Sequence, residues 1–202
     1  METPEEQPED GVIVHLSDGV AVRALRHGDI ASLSRHASSR NVWLNLRDRF
    51  PHPYTESDAQ MWIERVSAPE NQMRSGVYLA AGGNGPLLPA HYAITVEDEC
   101  VGGIGIDFGS DIYFRTGEIG YWLSEDHWGK GIMGKVVPAF VQWTWKAFGI
   151  LIRLNGSCNE GNTGSARCLE KAGFVFEGRR EAMSCKCGQV QAELMYGALR
   201  PE

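Results

Sequence analysis

A stretch rich in glycine and lysine is the part of the sequence whose residue types and spacing most directly indicate chemistry. Residues 118–135 read EIGYWLSEDHWGKGIMGK, and their second half carries Gly129, Lys130, Gly131, Gly134 and Lys135. Glycine lets a backbone approach a ligand closely, and the free N–H groups of a first helical turn attract anions. The stretch therefore predicts a phosphate site, but its spacing is neither a Walker loop nor GxGxxG and does not identify the ligand.

Two elements must position these glycines. Residues 119–123, rich in β-branched and aromatic side chains, predict a strand before them, and residues 136–148, with apolar residues at helical spacing, predict a helix after them. Pro138 lies inside that helix and either kinks it or marks its first turn.

Hydrophobic periodicity and turn residues predict the remaining elements. Strands are predicted over residues 19–26, 77–81, 90–96, 100–108, 115–123, 152–158, 174–177 and 191–199. Further helices are predicted over residues 30–37, 55–66 and 162–172, with Asp29, then Thr55 and Asp58, as N-terminal caps and Gly173 as the terminator. Residues 41–54 predict a loop or broken helix, and residues 179–188 predict a loop. This order is typical of a mixed α/β domain around one partly antiparallel sheet.

Composition limits the class of protein. The 202 residues fit one domain, and we expect it to cover residues 11–202 after a disordered acidic tail over residues 1–10. No apolar run is long enough to span a membrane, and the acidic start is unlike a signal peptide. The net charge of −7 argues against nucleic acid as a partner and is compatible with an amine substrate.

The cysteines indicate a reducing compartment. Five cysteines are scattered along the chain without a targeting segment, which favours free thiols in the cytosol or nucleus, and we expect a cytoplasmic location. Cys185 and Cys187 resemble half of a zinc site, but no second pair lies at zinc spacing, so no metal is expected.

Two motifs, in this order, resemble the GNAT superfamily of acetyl-CoA-dependent N-acetyltransferases. The first is EIGYWLSEDHWGKGIMG, and the second is NEGNTGSARCLEKAGFVFEGRRE, residues 159–181. The WGKG form and the NxxSxRxLEKxGF form are similar to the RimJ/RimL-type, ribosomal-protein-alanine acetyltransferase-like branch.

The resemblance implies the GNAT fold, a mixed, mostly antiparallel sheet of about seven strands flanked by about four helices. It also implies a splay between the strands that end at Leu123 and Cys158. The implied activity is acetyl transfer from acetyl-CoA to a primary amine, by direct attack in a ternary complex. The acceptor would be a protein N-terminus or a small-molecule amine, and the enzyme a monomer or homodimer. An acyl-CoA-binding module without turnover is the alternative.

The resemblance also implies where acetyl-CoA binds. The main chain of Leu123 and Glu125 would contact the pantetheine arm, and Asn162 would hydrogen-bond it. The pyrophosphate would lie on Gly129, Lys130, Gly131, Ile132, Met133 and Gly134. Met133 is bulkier than the glycine or alanine usual in the family, which could displace the pyrophosphate unless its side chain turns into the core.

The general acid is the second departure from the family. Many members carry a tyrosine where this chain has Leu169, which cannot donate a proton. Ser165, in the NxxS element, is the candidate acid, and a structural role in the first helical turn is the alternative.

Glu118 is the candidate general base because it heads the strand that leads to the acetyl site, on one face with Gly120 and Trp122. The alternative is an edge-of-strand salt bridge, for instance with Arg115 or Arg153. A backbone N–H near Leu123 would hold the oxyanion. Candidate acceptor contacts are Trp43, Arg47, Tyr54 and Trp122.

Overall fold

The computed structural model describes residues 11–79 and 82–202. The predicted acidic tail, residues 1–10, lies outside the described residues. The helices are α1 Ile30–Ala37, α2 Arg40–Leu44, α3 Glu56–Ser67, α4 Met133–Ala147 and α5 Thr163–Lys171. The strands are β1 Val12–His15, β2 Val20–Arg23, β3 Met73–Arg74, β4 Tyr78–Leu79, β5 Gly82–Gly83, β6 Leu87–Leu88, β7 His91–Val96, β8 Glu99–Phe108, β9 Thr116–Leu123, β10 Arg153–Asn159, β11 Val175–Lys186 and β12 Gln189–Leu199.

One eight-stranded sheet organises the described chain, with the strand order β1-β2-β7-β8-β9-β10-β12-β11. Neighbouring strands run antiparallel except β9 and β10, which are parallel. These two strands pair only from Thr116 with Arg153 to Glu118 with Asn155, and then separate. The predicted mixed sheet and its splay are confirmed, with eight strands and five α-helices in place of about seven and about four.

Alternation along the strands gives the sheet two different faces. Ile119, Leu123 and Leu154 belong to the buried cluster that includes Phe140 of α4 and Leu169 of α5. The opposite face of β7 and β8 packs on α1 and α3 through a second cluster: Leu33, Ala37, Tyr54, Ala59, Ile63, Ala93 and Cys100. Burying these side chains provides the main favourable free energy of folding.

Several local predictions are confirmed. α1 spans the predicted residues, and α3 begins with a capping box in which the Thr55 hydroxyl accepts from Asp58 N–H and the Asp58 carboxylate accepts from Thr55 N–H. α5 ends at Lys171, and the predicted terminator Gly173 follows it with a φ of 89°. Phe174 N–H donates to Leu169 O (3.1 Å) and Gly173 N–H donates to Glu170 O (3.0 Å), which is a Schellman motif.

Other predictions were wrong. Most of residues 179–188, predicted as a loop, belong to β11, an edge strand exposed along most of its length that lacks the hydrophobic alternation of a half-buried strand. Asp29 does not cap α1 with its side chain, because its carboxylate binds the buried Arg23 instead. Of the two alternatives left open for Pro138, the first turn of α4 is excluded, since the helix already begins at Met133 and Pro138 lies inside it.

Candidate active site

The gap between β9 and β10 exposes backbone groups of β9. Ser124 N–H donates to Val101 O (2.8 Å) on the β8 side, whereas Arg115 O accepts from Ile152 N–H (2.9 Å) on the β10 side. Backbone groups alternate in direction along a strand. The C=O group of residue 119 and the N–H and C=O groups of residues 121 and 123 therefore face the gap, beyond the last pair with β10.

Leu123, the candidate oxyanion donor and pantetheine contact, lies at the wide end of this gap. Its carbonyl accepts the indole N–H of Trp128 at 2.8 Å. Its N–H points into the gap without a partner among the hydrogen bonds of the described residues. At the end of β9, the Leu123 N–H is thus a free donor, whereas the Leu123 carbonyl is already hydrogen-bonded to Trp128 of the loop that follows.

The glycine-rich loop presents a run of free backbone donors. Within the described chain, no hydrogen bond is donated by the N–H groups of residues 129–134. Gly129 and Gly131 have φ angles of 74° and 73°, and a Cβ built on either would meet nothing within 4 Å. Met133 packs its side chain against the core, so it does not cover these donors. Consecutive amides at a helix N-terminus form a site for an anion.

The charges around the loop differ from the expected pair of lysines. Lys130 is exposed, but Lys135 is turned toward Ser17 (3.2 Å) and Asp18 (3.3 Å). Lys171, at the end of α5, brings its Nζ to 3.5 Å from where a Cβ on Gly134 would stand. Lys171 forms no ion pair among the described residues and was missed by sequence reasoning, because only the packing of α5 on α4 brings it to the loop.

Lys171→Met is expected to weaken CoA binding about two- to fivefold, because an exposed cation beside a phosphate site contributes about 0.5–1 kcal/mol. Isothermal titration with CoA at low and high salt measures it, and the loss should shrink as salt screens the charge. Lys146→Met, which removes an exposed lysine of α4, is the matched control. An equal loss in both variants would contradict a local role for Lys171.

Glu118 lies where β9 and β10 separate. Its Oε1 accepts from Arg47 Nη2 at 2.6 Å and lies 3.4 Å from Ser157 Oγ. Its Oε2 has no hydrogen bond within the described chain and so remains available to a substrate. The salt-bridge partner is thus Arg47, rather than Arg115 or Arg153, which bind Ile150 O and Glu177 respectively. Beside it, a Cβ on Gly120 would meet nothing within 4 Å, so the space next to the carboxylate is open.

A cleft of about 620 Å³ opens next to Glu118, on the face of β10, β11 and β12 that lies opposite α4 and α5. Met183 and Met195 supply its apolar side chains. Its charged side chains include Arg47, Glu118, Arg153, Glu177, Arg180 and Glu193. A polar cleft of this volume can hold a segment of several residues as well as a small amine.

The four candidate acceptor contacts do not share one position. Arg47 lines the cleft, whereas Trp43 stacks on His52 and lies under the Lys186 ammonium. Tyr54 is 6% exposed and belongs to the cluster between α1 and α3, so it packs rather than faces the cleft. Trp122 lies on the Glu118 face of β9 and packs edge-on against the ring of Phe50.

Ser165 lies on the other face of the gap. Its Oγ is 2.9 Å from the hydroxyl of Tyr121, and its N–H donates to Asn162 Oδ1 at 3.1 Å. Asn162 therefore caps α5 with its carbonyl oxygen, which leaves its amide nitrogen for other partners. Burial raises the pKa of Tyr121 above its usual value, so the phenol stays protonated at neutral pH. A hydroxyl pair thus stands between β9 and α5, and sequence reasoning missed Tyr121.

Residues at the end of α1 and at the start of α2 hold the turn after Leu123. The Glu125 carboxylate accepts from Ser39 Oγ and Asn41 Nδ2, both at 2.7 Å, and these bonds hold its pKa below the usual range. The His36 ring lies 2.8 Å from Ser124 Oγ and 3.0 Å from Glu99 Oε1. These contacts fix the start of the glycine-rich loop to the helical layer.

This network predicts sensitivity to acid. Burial, aided by the positive charge of Arg35, lowers the pKa of His36. Burial, aided by the positive charge of Lys130, also lowers the pKa of His127. The unfolded chain then binds more protons below pH 6.5, the ordinary pKa of histidine. The free energy of unfolding should therefore fall as pH drops through that value.

Thermal unfolding at pH 7.5 and 5.5 measures this effect. The loss of Tm on acidification should be smaller in a variant carrying both His36→Gln and His127→Gln than in the unaltered protein. His27→Gln, at an exposed histidine, is the control and should leave the loss unchanged. The same loss in all three proteins would assign the acid sensitivity to other groups.

Comparisons with known proteins identify a family and relatives for this chain. Residues 20–175 match the model of the acetyltransferase (GNAT) domain family. The chain is 23% identical over 165 residues to the ribosomal-protein-serine acetyltransferase of Escherichia coli (strain K12), covering 82% of this chain and 84% of that one. Within the described residues, no helix has the length and hydropathy needed to cross a membrane.

Solved structures agree on the fold. One is the RimL ribosomal L7/L12 alpha-N-protein acetyltransferase in complex with coenzyme A, with a TM-score of 0.73, 17% identity and coverage of 93% of this chain and 97% of that one. Another is the microcin C7 self-immunity acetyltransferase MccE in complex with acetyl-CoA and AMP, with a TM-score of 0.68, 17% identity and coverage of 91% of this chain and 93% of that one.

Proposed function

Because this chain belongs to the GNAT acetyltransferase family, we propose that it transfers the acetyl group of acetyl-CoA to a primary amine by direct attack in a ternary complex. The observation that carries the proposal is the free Oε2 of Glu118 at the point where β9 and β10 separate. A carboxylate oxygen there can take a proton from an amine, and the gap beside it can hold the thioester.

The backbone supports a binding mode for acetyl-CoA. The unpaired N–H and C=O groups along the end of β9 can pair with the amides of the pantetheine arm, as in strand addition. The free amides of residues 129–134, with Lys171 beside them, would then bind the pyrophosphate. Structures of the same fold contain coenzyme A or acetyl-CoA.

The chemical step follows from these positions. Glu118 takes a proton from the acceptor ammonium, directly or through a water, and the neutral amine attacks the thioester carbonyl. The N–H of Leu123 stabilises the oxyanion of the tetrahedral intermediate. When the C–S bond breaks, the nitrogen loses its second proton to solvent, and the Ser165 hydroxyl gives its proton to the departing thiolate and recovers one from Tyr121 or from solvent. The products are an acetylated amine and CoA with a free thiol.

A protein N-terminus is the acceptor that we propose. Two of the relatives named above carry ribosomal proteins in their names, and the cleft of about 620 Å³ has room for several residues of a peptide. A small-molecule amine is the other acceptor that this chemistry allows.

Thiol release from acetyl-CoA tests the proposal. Peptides with a free α-amino group are compared with the same peptides N-acetylated, and with polyamines and aminoglycosides. We expect thiol release to require the free α-amino group, with mass spectrometry locating the added acetyl group. Binding of acetyl-CoA without thiol release above hydrolysis for any acceptor would instead indicate a binding module without turnover.

A further inference from the structure

Lys186 is a buried lysine at the end of an exposed strand. It is 8% exposed, although most of β11 is exposed. Lysine is rarely buried unless its ammonium is paired. Here Nζ donates to Leu46 O at 2.9 Å and to Asp48 Oδ1 at 2.6 Å, and it lies 3.6 Å from the centre of the Trp43 ring. Three contacts of the ammonium, including one cation–π contact, thus go to one segment, residues 43–48.

The residue between two of these partners is Arg47. Leu46 and Asp48 accept hydrogen bonds from Lys186 of the β11–β12 hairpin. Arg47, which lies between them, donates to Glu118 Oε1 at 2.6 Å. The side chains of Arg47 and Glu118 are 57% and 38% exposed, and such a pair contributes little by itself. An exposed arginine forms a lasting ion pair with one partner more readily when its backbone is already fixed, because forming the ion pair then costs less conformational entropy.

The far end of the same segment has separate anchors. Arg49 binds Asp107 at 2.8 Å, and Phe50 packs against Tyr54 and Trp122. Loss of the Lys186 contacts would therefore free Arg47 without detaching the whole loop from the domain.

We propose that Lys186 is a positioning residue of the acceptor site. By tying residues 46 and 48 to the hairpin, it holds Arg47 on one oxygen of Glu118 and leaves the other oxygen for the amine. The inference rests on the proposed role of Glu118 as the base. Lys186 acts through Arg47 and does not touch the reacting atoms.

Lys186→Met tests this inference because it keeps an unbranched apolar chain and removes the ammonium. The KM for the acceptor should rise about tenfold, as expected for the loss of charged hydrogen bonds worth about 1.5 kcal/mol, while the KM for acetyl-CoA changes less than about twofold. Lys186→Arg, which keeps a cation and donors, should restore most of the loss. Lys146→Met is the control and should behave as the unaltered protein.

Two further measurements separate positioning from general destabilisation. In an Arg47→Met background, adding Lys186→Met should cause no further rise of the acceptor KM, because the two residues act in one chain of contacts. An equal rise with and without Arg47 would overturn the proposal. Tryptic cleavage after Arg47 or Arg49, located by mass spectrometry, should be faster in Lys186→Met than in Lys146→Met. Unchanged cleavage would also overturn the proposal for Lys186. Because proteolysis needs no enzymatic activity, this measurement tests the position of Arg47 even if the protein transfers no acetyl group.

Discussion

Replacing Glu118 with glutamine is expected to lower kcat/KM for the acceptor by about 10²–10⁴-fold, the range typical of a lost general base. Glutamine retains the shape of the side chain and can still accept from Arg47, but it cannot take a proton from an ammonium group. Affinity for CoA should stay near that of the unaltered protein, because Glu118 lies on the cleft side of β9, away from the glycine-rich loop. Steady-state thiol release at varied acceptor concentration, with titration of CoA binding, measures both quantities.

The dependence of this loss on pH gives the sharper measurement. At high pH much of the amine is already neutral, so the need for a base declines and the loss should shrink. Glu177→Gln is the matched control, since Glu177 also lines the cleft but is paired with Arg153 at 2.5 Å. Equal activity of Glu118→Gln and the unaltered protein at every pH would remove Glu118 as the base. A loss that does not vary with pH would assign it to binding.

Local signals explain why much of this fold could be predicted from the sequence. The capping box of Thr55 and Asp58 and the Gly173 terminator involve residues within a few positions of one another, so their spacing is visible in the chain. The glycine-rich loop is equally local, because its free amides follow from a helix that starts just after closely spaced glycines. The prediction of a phosphate site and the free N–H groups in the structure therefore have the same cause, which is a helix N-terminus just after closely spaced glycines.

Contacts between distant segments could not be predicted in this way. Arg47 with Glu118 and Lys186 with Trp43 join residues far apart in the chain, and no periodicity encodes which arginine reaches which glutamate. The start of β11 was predicted as a strand, but its part from residue 179 to residue 186 was missed. An edge strand exposed along most of its length has no apolar face to reveal it, and its pairing with β12 defines it instead. The acceptor side of the site depends mostly on such contacts, whereas the proposed cofactor side depends mostly on local ones.

Tyr121 and Ser165 illustrate this difference at the candidate acid. The motif around Ser165 marks a hydroxyl at the first turn of α5, but only the packing of α5 beside β9 brings the Tyr121 hydroxyl within 2.9 Å of it. The family position for a tyrosine is filled by Leu169, which is 1% exposed and part of the core. The Tyr121 phenol of β9 therefore lies next to Ser165, which is one helical turn before Leu169 in α5.

Ser165→Ala is expected to lower kcat by about 10²-fold or more, the lower end of the effect of a lost general acid, and to leave CoA affinity nearly intact. Alanine keeps the backbone N–H that Asn162 caps, so α5 retains its first turn. Tyr121→Phe should lower kcat less, because solvent can also return a proton to the serine. If the phenol acts through Ser165, the double variant should be no slower than Ser165→Ala alone.

Single-turnover thiol release with saturating acceptor measures the chemical step directly. Thr163→Ala, at an exposed hydroxyl of the same turn, is the matched control. A loss of CoA affinity as large as the loss of turnover would assign Ser165 to binding, and additive losses in the double variant would separate Tyr121 from the proton path.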